Sequence, residues 1–308
     1  MRKHKKEFPV GKMAKLLKVS CAGYYKHINR KESLREKESK ELTQAIKFIH
    51  EENRGVYGSP RIHAVLNGQG RKCSRKRVAK IMKENGIQAK TKRRWKTTTK
   101  ATKDPSRVAP NLVNQNFNVK EKNRVWVSDI TYIETDEGWL YVAATMDLYS
   151  RMLIGLSMDR RMSADLVARS LEQAVCRRAP QKGLIAHSDR GSQYTSTEYK
   201  KHVRKHGIEL SMSSTGNCFD NAAMESFFHT LKTEHTFFQN FSTRAEAVQS
   251  IFEYVEVFYN RQRLHSTLGY LSPCEFEKQQ CPHQQEKKES DTLFIPSTKE
   301  VNLPVCFV

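Results

Sequence analysis

Long apolar runs are missing from this chain of 308 residues. Only 38% of the residues are hydrophobic, and no stretch of 18 or more apolar residues occurs, so the sequence predicts no membrane-spanning helix. The basic N-terminus, which begins Met1-Arg2-Lys3, is not followed by an apolar segment. A secretory signal is therefore not expected, and we expect a cytoplasmic protein.

Cysteine pairs are absent as well. The seven cysteines are scattered, their number is odd, and none belongs to a Cys-x-x-Cys pair. This pattern argues against a disulfide framework and fits a reducing compartment. A zinc-dependent N-terminal domain lacks support, because the histidines and cysteines of the first third have no paired ligand spacing. These residues are His4, Cys21, His27, His63 and Cys73.

Acidic residues are scarce in the first third of the chain. Residues 1–108 contain 31 Lys and Arg but nine Asp and Glu, whereas residues 109–308 contain 23 and 24. The net charge of +21 therefore comes entirely from the first third. A charge excess this concentrated favours a polyanion such as DNA as the partner, through phosphate contacts and counterion release. A solvated basic surface is the alternative.

Helical patterns fill the basic part of the chain. Residues 8–29 are typical of two short helices, with Ser20 placed to cap the second. Either a small helix-turn-helix or a helical hairpin fits them. Residues 31–53 predict one charged helix that packs or pairs through an apolar stripe. The stripe consists of Leu34, Leu42, Ile46 and Ile49.

A helix-turn-helix pattern follows. Ser59-Pro60 opens one helix, Gly68-Gln69-Gly70 ends it, and Ser74 caps a second, basic helix. This spacing is typical of a helix-turn-helix whose second helix enters the major groove of DNA. We expect its basic side chains to contact DNA, with a solvated face as the alternative. They are Arg75, Lys76, Arg77 and Lys80.

Composition changes again near residue 90. The next segment is rich in Lys, Arg and Thr and has no hydrophobic period, so it predicts a linker that becomes ordered on DNA. Its candidate DNA contacts are Lys92, Arg93 and Arg94. The resulting divisions are an N-terminal helical region (1–53), a helix-turn-helix segment (54–89), a basic linker (90–118), an α/β domain (119–278) and a disordered tail (279–308).

An α/β pattern begins at Arg124. Three strands, starting near Val125, Trp139 and Arg151, are followed by a helix, a strand, a helix, a strand and a helix. This is the element order of an RNase H-like domain, with a mixed five-stranded sheet and flanking helices. The fold class predicted for the whole chain is therefore α/β, preceded by a basic all-α region.

Three acids are placed to converge in such a domain. Asp129 lies on the first strand, Asp189 just past the fourth, and Glu225 on the following helix, 35 residues after Asp189. Three clustered carboxylates can hold two divalent cations, which activate one oxygen and stabilise another during displacement at phosphorus. The alternative for each acid is a helix cap or a surface ion pair. Lys232 lies about 10 Å further along the same helical face, as a candidate DNA contact or an ordinary exposed lysine.

Four motifs together resemble a known family. They are Trp126-Val127-Ser128-Asp129-Ile130-Thr131, His187-Ser188-Asp189-Arg190-Gly191-Ser192-Gln193-Tyr194, Asp220-Asn221-Ala222-x-x-Glu225-Ser226-Phe227-Phe228 and Tyr259-Asn260-x-x-Arg263-x-His265. Over about residues 8–278 the chain resembles the second-frame (OrfB) transposases of insertion sequence 3. This family belongs to the DDE transposase and retroviral integrase superfamily. The polar run after Tyr259 either binds DNA or the catalytic edge, or forms a helix-capping network.

The resemblance implies an integrase catalytic core. Asp129, Asp189 and Glu225 would be the ligands of two Mg²⁺ ions, with Mn²⁺ as a substitute. A 3′-OH exposed at one element end would attack near the other end, giving a circle that is later inserted into target DNA. Phosphoryl transfer of this kind works by positioning and charge stabilisation and needs no covalent enzyme intermediate.

The resemblance also implies partners and a location. DNA, as terminal repeats and target, would be bound by a homo-oligomer in the bacterial cytoplasm at the nucleoid. Because the chain begins at its own Met1 and shows no leucine-zipper repeat, an upstream-frame (OrfA) partner or fusion is expected to supply end recognition and multimerisation. Two rival functions stay open at this point. A DNA-binding regulator without catalysis would bind without metal dependence, and a structure-specific nuclease would cut without joining.

Overall fold

The computed structural model describes residues 1–90, 108–214 and 218–280. The chain folds as two units, Met1–Ala89 and Lys90–Val308. The predicted contacts Lys92, Arg93 and Arg94 lie outside the described residues, and so does the predicted tail beyond Gln280. No helix in the described ranges is long and apolar enough to cross a membrane.

Serine caps define the helices of the first unit. The side chains of Ser20, Ser33 and Ser74 each accept a hydrogen bond from a backbone N–H of the helix that follows, which satisfies a donor that the first turn leaves unpaired. Ser33 forms a full capping box with Glu36. A short 3₁₀ turn (Arg2–His4) precedes α1 (Val10–Leu16), α2 (Cys21–Ile28), α3 (Leu34–Glu52), α4 (Ser59–Gly68) and α5 (Arg75–Glu84).

The core of the first unit is formed where α3, α4 and α5 pack on one another. Three members of the predicted α3 stripe, Leu42, Ile46 and Ile49, are buried, but Leu34 is 86% exposed. The prediction for Leu34 was wrong because the buried part of α3 begins only at Leu42. Leu34 occupies the first turn, two turns earlier, where the packing helices do not cover it.

The second unit is built on a mixed five-stranded sheet of order β3-β2-β1-β4-β5. Antiparallel pairing joins β1 to β2 and β2 to β3, whereas β1 pairs with β4 and β4 with β5 in parallel. This confirms the predicted sheet and its element order. The strands are β1 (Val125–Ile133), β2 (Leu140–Asp147), β3 (Leu153–Asp159), β4 (Ile185–Ser188) and β5 (Glu209–Met212).

Helices cover the sheet. A cluster of buried apolar residues that includes Trp126, Leu171, Tyr199 and Met212 joins the sheet to α6 and α7. Val127, the neighbour of Trp126 on β1, is also fully buried, so β1 is covered on both faces. The helices are α6 (Ala164–Arg178), α7 (Thr197–Lys205), α8 (Ala222–Glu234), α9 (Arg244–Glu253), continued by a π-helical stretch (Tyr254–Tyr259), and α10 (Pro273–Gln280).

A glycine allows α6 to approach β3 closely. A Cβ atom placed on Gly155 would lie 2.0 Å from the backbone oxygen of Ser170. The hydroxyl of Ser170 is 2.9 Å from that of Thr145, which is 3.1 Å from that of Ser128 on β1. The contact therefore brings α6 close enough to form a chain of buried hydroxyl hydrogen bonds across three elements.

We expect Gly155→Ala to destabilise the second unit. The added methyl group has to push α6 away from β3, and overpacking of this kind costs about 1–3 kcal/mol or more. Thermal unfolding followed by circular dichroism measures the loss. Gly11→Ala is the control, because no atom lies within 4 Å of the position of its Cβ. Equal melting curves for the two variants would contradict the close contact.

Candidate active site

Asp129 and Asp189 directly follow the last paired residues of two neighbouring parallel strands. The register of β1 and β4 ends with Ser128 opposite Ser188, and each acid is the next residue in its chain. The carboxyl ends of parallel strands are where open α/β sheets bind their ligands. The Asp129 carboxylate accepts a hydrogen bond from the Ile130 N–H at 2.8 Å.

Gly191 fixes the second acid. Its backbone N–H donates to Oδ1 of Asp189 at 2.9 Å. A Cβ atom on Gly191 would lie 2.9 Å from that same oxygen, which is closer than real Cβ atoms come. A glycine is therefore required where the backbone approaches this carboxylate so closely.

Glu225 enters from α8. The helix packs against β1, and Glu225 is in its first turn with its residue exposed. The amide of Asn221, just before the helix, donates to the backbone oxygen of Ser128 at 3.2 Å. The start of α8 is thus tied to the residue that precedes Asp129. Asn221 directly precedes the helix, but its side chain does not cap it.

Asp220 has a structural role that the sequence did not indicate. Its carboxylate accepts hydrogen bonds from the Ser214 N–H at 2.7 Å, the Asn111 amide at 2.9 Å and the Gln115 amide at 3.1 Å. Burial opposes ionisation, but these bonds and nearby His187 hold the pKa of Asp220 below its ordinary value. The Asn111 and Gln115 contacts join residues 109 and 105 positions apart, a separation over which local spacing carries no signal.

His187, in the same motif as Asp189, is buried between β4 and β5. Its Nδ1 lies 2.8 Å from the hydroxyl of Ser211, and its Nε2 lies 3.3 Å from that of Ser213. Burial lowers the pKa of His187, although Asp220 acts in the opposite direction. This histidine therefore links β4 to β5 and to Ser213, the residue that follows β5 by one position.

The three candidate acids interact electrostatically. Burial raises the pKa of Asp129, and the carboxylates of Asp189 and Glu225 raise it further. Burial also raises the pKa of Asp189 and of Glu225. Like charges at one site disfavour each other's ionisation. Positive charge close to these three carboxylates would therefore favour their ionised forms.

Lys232 supplies part of that charge. Only 9% of the residue is exposed, and its Nζ lies 4.8 Å from the centre of the Tyr132 ring. Burial lowers the pKa of Lys232 to about 8, and the Asp129 carboxylate opposes this shift. The expectation of an ordinary exposed lysine was wrong, because α8 turns this face towards β1.

The donor set fits a hard divalent cation. Carboxylate oxygens are the ligands that Mg²⁺ takes in proteins. Two further oxygens near this edge, the Tyr194 hydroxyl and Oδ1 of Asn221, are buried without a hydrogen-bond partner among the described residues. In those residues no three His, Cys, Asp or Glu side chains come close enough to enclose an ion.

The polar run after Tyr259 braces α8. Arg263 binds Glu234, at the end of α8, through two contacts of 2.7 and 2.6 Å, and both side chains are buried. Tyr254 donates its hydroxyl to the same carboxylate. Asn260 donates to the Leu153 carbonyl and accepts from the Leu153 N–H. Asn260 and Arg263 therefore bind within the protein and connect α8 to β3.

The basic candidates of the first unit differ in their surroundings. Arg75, Lys76 and Lys80 on α5 are exposed. The guanidinium of Arg77 instead binds Glu38 on α3 at 2.7 Å. Arg77 therefore helps to hold α5 against α3, and the exposed positions are the ones available to a phosphate backbone.

Comparisons with known proteins agree with this architecture. An integrase core domain family matches residues 119–218, a second integrase core domain family matches residues 225–281, and an HTH-like domain family matches residues 37–95. The two core matches include all three candidate acids.

Full-length relatives decide the family. The chain is 45% identical over 251 residues to the transposase for insertion sequence element IS904 of Lactococcus lactis, with 82% of this chain and 99% of the relative covered. It is 38% identical over 280 residues to transposase InsF of insertion sequence IS3A of Escherichia coli, covering 90% and 96%. The chain belongs to the IS3 family of transposases. A 31 kDa protein of insertion element IS600 from Shigella sonnei is 41% identical, covering 86% and 97%.

Membership establishes the general activity. This transposase has an integrase core preceded by an HTH-like DNA-binding region, and it acts in DNA transposition as a polynucleotidyl transferase.

We expect Glu234→Gln to destabilise the transposase by about 3–5 kcal/mol, because it leaves the buried Arg263 charge without a partner. Chemical denaturation monitored by tryptophan fluorescence measures the change. Glu121→Gln is the matched control, since Glu121 and Arg124 form an exposed pair whose loss costs at most about 1 kcal/mol. Similar losses in the two variants would argue against the brace.

Proposed function

We propose that Asp129, Asp189 and Glu225 are the catalytic acids of this transposase and the ligands of two divalent cations, Mg²⁺ or Mn²⁺. The observation that carries the proposal is that Asp129 and Asp189 follow directly on paired parallel strands. Support for the third acid comes from the hydrogen bond that ties the start of α8 to Ser128. Burial raises the pKa of all three carboxyl groups, and the Asp189 and Glu225 carboxylates raise that of Asp129 further, so bound cations would favour their ionised forms.

Each of the proposed site residues has a separate role in the reaction. When bound, the ions supply an activated oxygen and stabilise charge at phosphorus. Asp129 and Asp189 form the rigid part of the site because Asp129 lies within β1 and Asp189 directly follows β4. Glu225 completes the set from the helix, and Lys232 places a positive charge beside Asp129, where it contacts the DNA backbone. Positioned charge is sufficient for strand cleavage followed by attack of the exposed 3′-OH.

The basic N-terminal part binds the DNA. Arg75, Lys76 and Lys80 are exposed on α5, the second helix of the helix-turn-helix, and are proposed to contact phosphates or base edges. Lys92, Arg93 and Arg94 are proposed as backbone contacts from the basic segment that follows. Arg77 contributes by holding α5 in place.

Transposition needs two element ends in one complex. We therefore propose a homo-oligomer that binds terminal repeats and target DNA, with an upstream-frame (OrfA) partner or fusion for end recognition. The expected location is the bacterial cytoplasm at the nucleoid. A catalytically inactive regulator is the less favoured alternative, because the three acids and their supporting contacts are intact.

The test is strand joining on labelled DNA that carries the element's own ends, with Mg²⁺ or Mn²⁺. We expect metal-dependent joined product from the wild type and a loss of at least about a hundredfold in Glu225→Gln, as for removal of a group that stabilises transition-state charge. Glu209→Gln, an exposed acid on β5, should retain activity. Cutting without joining would favour a nuclease.

Metal binding should also raise the thermal stability of the transposase. A cation that binds only the folded transposase stabilises it by about 2.7 kcal/mol at a hundred times its dissociation constant, and each kcal/mol raises Tm by about 2–4 °C. We expect Mg²⁺ to raise the Tm of the wild type but not of Asp129→Asn.

Without metal, Asp129→Asn should melt above the wild type, since the pKa of Asp129 is raised by folding and its ionised form is disfavoured. Asp165→Asn, at an exposed position, should respond as the wild type does, and an equal Mg²⁺ response in Asp129→Asn would contradict the ligand assignment.

A further inference from the structure

Two partly exposed aromatic rings lie near the end of β1, further along the strand than Asp129. Tyr132 is three residues after Asp129 on β1, and Trp139 comes just before β2 in the connecting hairpin. The ring centroids are 5.0 Å apart with an angle of 79° between the planes. Tyr132 is 36% exposed and Trp139 is 45% exposed. Both residues bury more than half of their area, and the remaining exposed ring surface is available to a ligand with an aromatic face.

Lys232 connects the rings to the acids. Its Nζ lies over the Tyr132 ring, and the same ammonium group interacts with the Asp129 carboxylate. By the rise of a strand, the Cα atoms of Asp129 and Tyr132 are about 10 Å apart. This equals about three nucleotide steps of roughly 3.4 Å along one DNA strand. A strand with its reactive phosphate at Asp129 therefore reaches the rings within a few nucleotides.

The hairpin that carries Trp139 is braced. Arg244 donates from Nε to the Trp139 carbonyl at 3.0 Å, and its backbone N–H donates to the Glu137 carboxylate at 2.9 Å. Gly138 has a φ of +104°, which the neighbouring turn needs and other residues rarely adopt. Because the backbone around Trp139 is fixed, the ring loses little conformational freedom when it binds a ligand.

We propose that Tyr132 and Trp139 form a stacking platform for an unpaired DNA base within about three nucleotides of the phosphate that the acids act on. The proposal rests on the proposed function of those acids. A base inside a duplex is stacked on both faces, so only a base that has left the duplex can stack on a protein ring. Since Lys232 already occupies a face of Tyr132, Trp139 provides the larger free surface.

The test compares two DNA duplexes of the same sequence bound to the full chain. One duplex is blunt, and the other ends in three unpaired nucleotides that contain 2-aminopurine. Fluorescence anisotropy gives the two Kd values, and 2-aminopurine fluorescence reports stacking. We expect the wild type to quench the probe. Trp139→Ala should lose the quenching and weaken binding of the tailed duplex about five- to a hundredfold, with less than about a twofold change for the blunt duplex. Trp139→Phe should restore most of the effect.

Controls separate this proposal from its alternatives. Phe252→Ala removes another exposed ring, 54% accessible on α9, and should leave both duplexes bound as by the wild type. Equal weakening of both duplexes by Trp139→Ala, or no change in either, would overturn the platform. Joining activity without Trp139-dependent quenching would refute the platform alone. Quenching by a wild type that joins no strands would support the platform and refute the catalytic assignment.

Discussion

Parallel pairing between β1 and β4 is the constraint on which the candidate site depends. The pairing ends at Ser128 and Ser188, so Asp129 and Asp189, the next residue of each chain segment, come together where this pairing ends. Two carboxylates are thereby brought together although each disfavours the ionisation of the other. Hydrophobic burial on both faces of the sheet supplies the stability that holds this unfavourable pair in place.

The third acid is held by different means. Glu225 belongs to a helix that is attached at both ends, through Asn221 to β1 and through Glu234 and Arg263 to the segment that binds β3. The strands therefore fix two acids with little freedom, while α8 presents the third from a more exposed position. This division suits a site in which ions and DNA complete the ligand set.

Local patterns were sufficient to predict much of this architecture. Alternating apolar residues predicted β1, and serine caps and apolar spacing predicted α5 and α6. The three acids were predicted from their motifs and spacing, and their catalytic role stays a prediction. The sequence did not show that Lys232 is buried against Tyr132, because burial depends on which face of α8 meets β1. Asn111 and Gln115, two partners of Asp220, were also missed, since they lie 109 and 105 residues away in the sequence. Leu34 was wrongly predicted to be buried. Periodicity identifies the apolar face of α3 but does not show how much of its length the packing helices cover.

The brace between Arg263 and Glu234 has a consequence for copies of the element that lose their 3′ end. A reading frame that stops between residues 235 and 262 would keep the three candidate acids and the entire sheet, yet Glu234 would lose its Arg263 counterion. The helix that carries Glu225 would then lose its distal attachment. Such a copy would have a complete acidic motif and an incomplete scaffold, so an intact transposase gene is better recognised by the Arg263 segment together with the acids than by the acids alone.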